Sequence, residues 1–169
     1  ATGGAATGGA ATGGAPVDTS RYNFEMSTQA WTMAAGTTAF TTIARDTIRH
    51  YMGEASLSGT ITATGVSTYQ LLVNPLPAVP AGATVTFRVF VPSGAAIDWI
   101  QPYVQEGPTS TPAYRWTGTY TTAASIASGA WTTVLVEVPT PATAIAALGV
   151  QFHTSGAWTG MVSVDSVNW

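Results

Sequence analysis

The sequence predicts an all-β fold, a two-sheet β-sandwich or jelly roll, from three observations. Gly and Pro turns divide the chain into many short β-type segments, several segments alternate apolar with polar residues, and no long helical pattern follows any of them. The candidate strands are Tyr22–Met26, Ala55–Ala63, Ser67–Val73, Thr84–Val91, Ala96–Gln105, Tyr114–Thr119, Thr132–Val138, Ala144–His153 and Met161–Asn168. Turn signals lie between them at Asn74-Pro75, Pro80-Ala81-Gly82, Pro92-Ser93-Gly94, Glu106-Gly107-Pro108, Ser128-Gly129 and Ser155-Gly156. The stretch 37–50 has room for one helical turn, but its Thr and Ile residues favour strand or loop.

Ahead of these strands stand three tandem copies of Ala-Thr-Gly-Gly-Ala, closed by Pro16. Small uncharged residues bury too little area to offset the entropy of ordering the backbone, so residues 1–16 read as a flexible linker. Residues 17–169 read as one module of a multi-module protein, long enough for a single core.

Hydrophobic residues make up 46% of the chain, as in a folded domain, but charged residues only 8%, with five Arg and no Lys. That is well below the roughly 25% of an ordinary domain, so Thr, Ser, Gln and Asn must solvate the surface. A net charge of −3 without a basic cluster argues against nucleic acid, which needs several cations together on its phosphates. It gives no reason to expect anionic lipid, and no apolar run is long enough to span a bilayer. Cysteine is absent, which removes disulfides, zinc–thiolate sites and thiol chemistry. The Thr-rich surface and the linker point to a secreted, extracellular, monomeric protein.

Alternation assigns the faces. Val85, Phe87, Val89 and Val91 share one side of their strand and Thr84, Thr86, Arg88 and Phe90 the other; Val134, Val136 and Val138 face inward opposite Thr133, Leu135 and Glu137. In 99–105, Ile100, Pro102 and Val104 oppose Trp99, Gln101, Tyr103 and Gln105; in 150–153, Val150 and Phe152 oppose Gln151 and His153. Aromatic rings and long amides therefore share the non-core side of two strands.

That combination suits a glycan. The apolar C–H face of a sugar packs on a flat ring at roughly 25 cal/mol per Å². Amides meet hydroxyls as both donor and acceptor, each bond netting about 0.5–1.5 kcal/mol. The expected ligand contacts are Trp99, Gln101, Tyr103, Gln105, Gln151, His153, Trp116 with its neighbour Arg115, and Trp158 on a loop. The bland reading stands beside this: Trp31, Trp131 and Trp169 fit core or edge packing, and a lone His such as His153 more often makes a structural hydrogen bond. Catalysis has little support, since there is no G-x-S-x-G, no H-E-x-x-H, and only His50 and His153 as imidazoles.

Four blocks carry a resemblance. Tyr22–Trp31 (YNFEMSTQAW), Trp99–Gln105 (WIQPYVQ), Gly129–Thr133 (GAWTT) and Leu148–Trp169 (LGVQFHTSGAWTGMVSVDSVNW) resemble, in that order, segments of jelly-roll carbohydrate-binding modules. The resemblance implies a polysaccharide groove across a concave sheet and a place beside a secreted glycoside hydrolase. It also implies one structural Ca²⁺ held by first- and last-strand carboxylates, which match Glu25 and Asp165; where members usually carry Asp or Gly after Phe-Glu, this chain has Met26. Hard Ca²⁺ takes such oxygen ligands, and tying the chain ends would substitute for a disulfide. The alternative for Asp165 is a carboxylate that caps a turn or accepts backbone N–H groups.

The expected function is non-catalytic binding of a neutral plant-type polysaccharide: β-1,4-glucan or mixed β-glucan first, then xyloglucan, mannan or xylan. A tethered hydrolase would gain effective concentration on its polymer. The alternative is a structural or adhesion β-sandwich of a surface protein without glycan binding.

Overall fold

The computed structural model describes residues 16–35, 38–74 and 78–169. The linker reading falls almost wholly on residues outside that set, as does Pro75 of one turn signal. Among the described residues eleven strands are formed: β1 (Trp31–Met33), β2 (Thr42–Asp46), β3 (Ser56–Ala63), β4 (Ser67–Val73), β5 (Thr84–Phe90), β6 (Ile97–Glu106), β7 (Trp116–Gly118), β8 (Thr121–Thr122), β9 (Trp131–Glu137), β10 (Ile145–Thr154) and β11 (Trp158–Asn168). They make two antiparallel sheets. One has six strands in the order β1-β4-β10-β6-β7, with β8 also on β6; the other has five, β2-β3-β11-β5-β9. The expected all-β sandwich is the observed fold.

The inward faces supply the core. Val85, Phe87 and Val89 of β5 and Val134 and Val136 of β9 are buried, as alternation predicts. Facing them from the six-stranded sheet are Ile100 and Val104 of β6 and Leu148, Val150 and Phe152 of β10. Trp31 joins this core, its ring edge-on to Tyr22, Phe24 and Phe87 at 5.5–6.4 Å. Edge-on contacts of this kind suit the ring quadrupoles.

The strand set differs from the candidate strands in three places, the second of them in the direction that Thr and Ile favour. Tyr22–Met26 is not a strand: Tyr22 makes one isolated bridge to Val167, Phe24 sits at φ 56°, and Met26 is 91% exposed. A left-handed residue ends any extended run, and here the Gln29 side chain accepts from the Phe24 N–H instead. The segment after residue 41 does form a strand, β2, whose Thr42 hydroxyl donates to Thr60 of β3. The last strand starts at Trp158, not Met161, because 158–164 pairs in register with β3.

Candidate functional site

The six-stranded sheet turns an amide-rich surface outward. Pairing aligns Gln101 of β6 with Gln151 of β10, and Gln151 with Gln70 of β4, so three glutamines lie across three adjacent strands. Gln151 Nε2 donates to Gln70 Oε1 at 3.0 Å, and Gln70 Nε2 in turn donates to the Tyr103 hydroxyl. The bonds fix which way the Gln151 and Gln70 amides point, which an isolated glutamine leaves open.

Two glycines make room for this floor. Tyr103 is opposite Gly149 on β10, and a Cβ there would stand 2.6 Å from its hydroxyl. The phenol therefore crosses β10 and reaches Gln70 on the strand beyond. On the other side Gly118 of β7 leaves space for Gln101, whose amide would lie 2.8 Å from an added Cβ.

Aromatic stacks flank the amide row on either side along β6. Trp116 lies on Tyr103, centroids 3.7 Å apart and planes within 16°, with the indole 38% exposed. Four residues along β6, roughly 13 Å of strand, Trp99 lies parallel to His153 at 4.7 Å and 8°. Tyr120, 63% exposed, meets Trp99 edge-on at 5.0 Å. His153 Nδ1 is 2.6 Å from Asp98 Oδ1, which holds the imidazole in its stacked position.

The sequence-predicted residues divide accordingly. Trp99, Gln101, Tyr103, Gln105, Trp116, Gln151 and His153 are brought to this one face. Tyr103, however, has no exposed surface, because Trp116 covers it; it is a support for the platform and not the platform. Burial pushes its hydroxyl pKa well above the usual tyrosine range, so it stays a neutral acceptor for Gln70. Gln101 is also buried, and the Gln105 amide donates to the Tyr114 carbonyl at 3.4 Å.

Arg115 turns away from the platform. Its Nε bonds the buried carboxylate of Glu106 and its guanidinium also donates to the Pro141 carbonyl at 2.8 Å. An anion buried as Glu106 is must have a cation and donors around it; Thr143 adds N–H and hydroxyl donors at 2.7 and 2.9 Å. Trp158 is displaced further. It belongs to the five-stranded sheet, opposite Ala63, with its indole over Gly160 and packed against the core. Three contributors escaped the sequence reading: Gln70, Tyr114 and Tyr120. Tyr114 and Tyr120 bracket Trp116 and are 55% and 63% exposed; exposed aromatics in one short segment were the available signal. Gln70 is identified only by its partner strand.

A groove lies elsewhere. About 660 Å³ in volume, it runs between the edge strands β7 and β9 and is lined by Thr117, Thr119, Leu135, Glu137 and Thr140 among others. It offers no aromatic ring, so size alone does not make it the sugar site.

The segment after Pro16 and the last strand meet at a carboxylate cluster. Ser166, at φ 48°, bulges β11 so that its N–H bonds Asp165 Oδ1 at 2.7 Å and its hydroxyl bonds Asp18 Oδ2 at 2.6 Å. Asp165 Oδ2 accepts from the Tyr51 and Met52 N–H groups at 2.7 and 3.3 Å, and Glu25 accepts from Glu54 N–H at 2.9 Å. Asp165 thus does accept backbone N–H groups. Burial first, and then the Asp18 charge, push its pKa up to about 6. Gly53, at φ 68°, keeps this cradle open: its missing Cβ would fall 1.8 Å from Glu25 Oε1 and 3.4 Å from Asp18 Cβ. Among the described residues no three acidic or His side chains converge on one ion position, yet two adjoining buried carboxylates with no bonded cation suit a hard cation.

No family model and no curated protein matches the chain. Solved structures do. One, of carbohydrate-binding modules from the β-sandwich superfamily studied for promiscuous specificity, is 28% identical with a TM-score of 0.81. The match covers 91% of this chain but only 62% of that one. A CBM28 module specific for non-crystalline cellulose is 16% identical over 87% of this chain and 90% of its own, TM-score 0.62. The CBM22-1–GH10 modules of a Clostridium thermocellum endo-1,4-β-D-xylanase, complexed with xylohexaose, match at 14% identity and TM-score 0.58 over 86% of this chain and 27% of theirs. The molecule has the β-sandwich fold of these carbohydrate-binding modules, which are what it is similar to.

Proposed function

We propose that the outer face of the six-stranded sheet binds a neutral β-linked polysaccharide. β-1,4-Glucan or mixed β-glucan ranks first, then xyloglucan, mannan and xylan. The single observation that carries this reading is the Trp116 indole, backed flat by a buried tyrosine and open on its outer side, beside a row of oriented amides. A ring so held loses little rotamer entropy on contact with a sugar, and the half-buried Gln151 and Gln105 amides supply hydroxyl partners without net charge, over the buried Gln70 and Gln101. Trp99, His153 and Tyr120 extend the contact along the strand, which favours a chain over a single sugar.

The similarity to modules for cellulose and xylan supports this over a structural or adhesion domain without glycan binding. A tethered glycoside hydrolase is the natural partner, as in the xylanase match. A secreted, extracellular and monomeric protein fits the same reading. A structural Ca²⁺ on the two adjoining buried carboxylates, Asp18 and Asp165, would neutralise them and tie the segment after Pro16 to the last strand.

Affinity electrophoresis against hydroxyethyl-cellulose, mixed β-glucan, xyloglucan, mannan and xylan, with and without EDTA, tests both parts. Retardation on at least one glucan is expected. Retardation on none would return the chain to the adhesion alternative. If EDTA leaves both mobility and the melting temperature unchanged, calcium has no part in the fold.

A further inference from the structure

The opposite side of the sandwich carries a second aromatic group, and this one holds cations. Phe90 of β5 and Trp131 of β9 are register partners on the outer face of the five-stranded sheet, rings 5.6 Å apart at 65°. Tyr51, 40% exposed, leans on Trp131 at 6.0 Å. The Arg49 guanidinium lies 4.2 Å from the Phe90 centroid and that of Arg88 lies 4.4 Å from Tyr51. Arg88 also donates to the Thr133 hydroxyl.

Both arginines keep spare bonding capacity. A guanidinium has five N–H donors. Among the described residues Arg88 uses them only toward Thr133, and the Arg49 guanidinium donates no hydrogen bond. Neither has an ion pair; the described pairs are Arg115–Glu106 and His153–Asp98. Asp165 stands opposite Arg88 in register, but its oxygens accept from Tyr51, Met52 and Ser166. The chain has only five Arg and no Lys on a net charge of −3. Arg115 is bound to Glu106, Arg45 donates to the Phe24 carbonyl, and Arg21 lies over Trp169. Two cations, each with its guanidinium carbon over a ring and neither in an ion pair, share one aromatic cluster on a charge-poor molecule.

We infer that Arg49, Arg88, Tyr51 and Trp131 form a second glycan site, selective for a sugar residue bearing a carboxylate. The sugar face would rest on Trp131 or Tyr51 and its carboxylate would accept from the two guanidinium groups, the charge-assisted pairing that arginine favours. The site does not depend on the amide face, so one module would hold a neutral backbone on one side and an acidic substituent or neighbouring acidic chain on the other.

An NMR titration following the indole N–H signals of Trp131 and Trp116 tests this. The probes are glucuronate-substituted xylo-oligosaccharide and the unsubstituted oligosaccharide as the neutral control. The acidic probe is expected to move the Trp131 signal and the neutral one to leave it in place. Arg49→Gln and Arg88→Gln, both surface changes, should each weaken that response about tenfold, the scale of one charge-assisted hydrogen bond. Trp116→Ala should leave it intact. Raising ionic strength from about 0.01 to about 0.15 M should weaken it further. Equal response to both probes at Trp131, or shifts confined to Trp116, would overturn the second site. A silent Trp116 beside a responsive Trp131 would instead tell against the amide face.

Discussion

The two sheets turn different chemistry outward although both carry aromatic rings. On the six-stranded side Gln151, Gln70 and Tyr103 satisfy one another through neutral hydrogen bonds, and Trp116 lies on the buried end of that chain. On the five-stranded side Phe90, Trp131 and Tyr51 meet edge-on and are overlaid by Arg49 and Arg88. The first surface is held in place by the fold beneath it. The second is held by side chains lying on each other at the surface. Aromatic content alone therefore does not define a binding face; what lies under the ring, and what charge lies beside it, decides its ligand.

The sharpest way to break the comparison is at Gly149. An added Cβ would stand 2.3 Å from the Leu71 carbonyl oxygen and 2.6 Å from the Tyr103 hydroxyl, and the backbone oxygen cannot swing aside. Gly149→Ala should cost about 1–3 kcal/mol, seen as a fall of several degrees in Tm. It should also weaken neutral-glycan binding by lifting Tyr103 under Trp116, while the Trp131 response to acidic probes survives. Next in size is Trp116→Ala, which should reduce glucan affinity about tenfold, or ~1.4 kcal/mol, by isothermal titration. Trp131→Ala should leave that affinity within twofold. Equal losses from both variants would erase the distinction between the faces.

Smaller effects should appear in pH-dependent melts. Asp165 is raised from 3.8 to about 6, so the folded state holds its proton more tightly than the unfolded chain does. In EDTA its contribution to stability should be full below pH 3.8 and be lost as pH rises through about 6. Asp165→Asn should flatten this limb, and added Ca²⁺ should reverse it if the carboxylates hold the ion. Glu106 goes the other way: the Arg115 hydrogen bond chiefly, with Thr143, holds its carboxyl below the usual 4.5. Its contribution is present above pH 4.5 and is lost as pH falls through the lowered value, a limb that Glu106→Gln should remove. The least effect is expected from salt on glucan binding: no charged group lies in the amide row, so affinity should hold within about twofold between low and physiological ionic strength. A steep salt dependence would mean the arginine face binds the glucan.

Local pattern was enough to read much of this molecule. The alternation of β5 and β9 named their core residues, and the alternation of Trp99–Gln105 put rings and amides on one side of β6. It failed where a neighbour from another strand intervenes. Tyr103 does point outward from β6, but Trp116 of β7 lies over it and removes it from solvent. Trp158 follows the Ser155-Gly156 turn signal in the chain, whereas pairing with Ala63 draws it into β11 and toward the core. Arg115 sits beside Trp116 in the chain, yet the buried Glu106 carboxylate draws it the other way.

By itself the sequence determined the all-β class, the inward and outward faces of the principal strands, and a sparse, nearly neutral surface, because periodicity and composition are properties of neighbouring residues. The tertiary structure alone decided which outward residues are reached by solvent, that Gln70 completes an amide row with residues from β6 and β10, and that Arg49 meets Arg88 across a ring cluster. Those outcomes rest on strand register and on side chains packed from segments far apart in the chain, and no spacing along one strand encodes them.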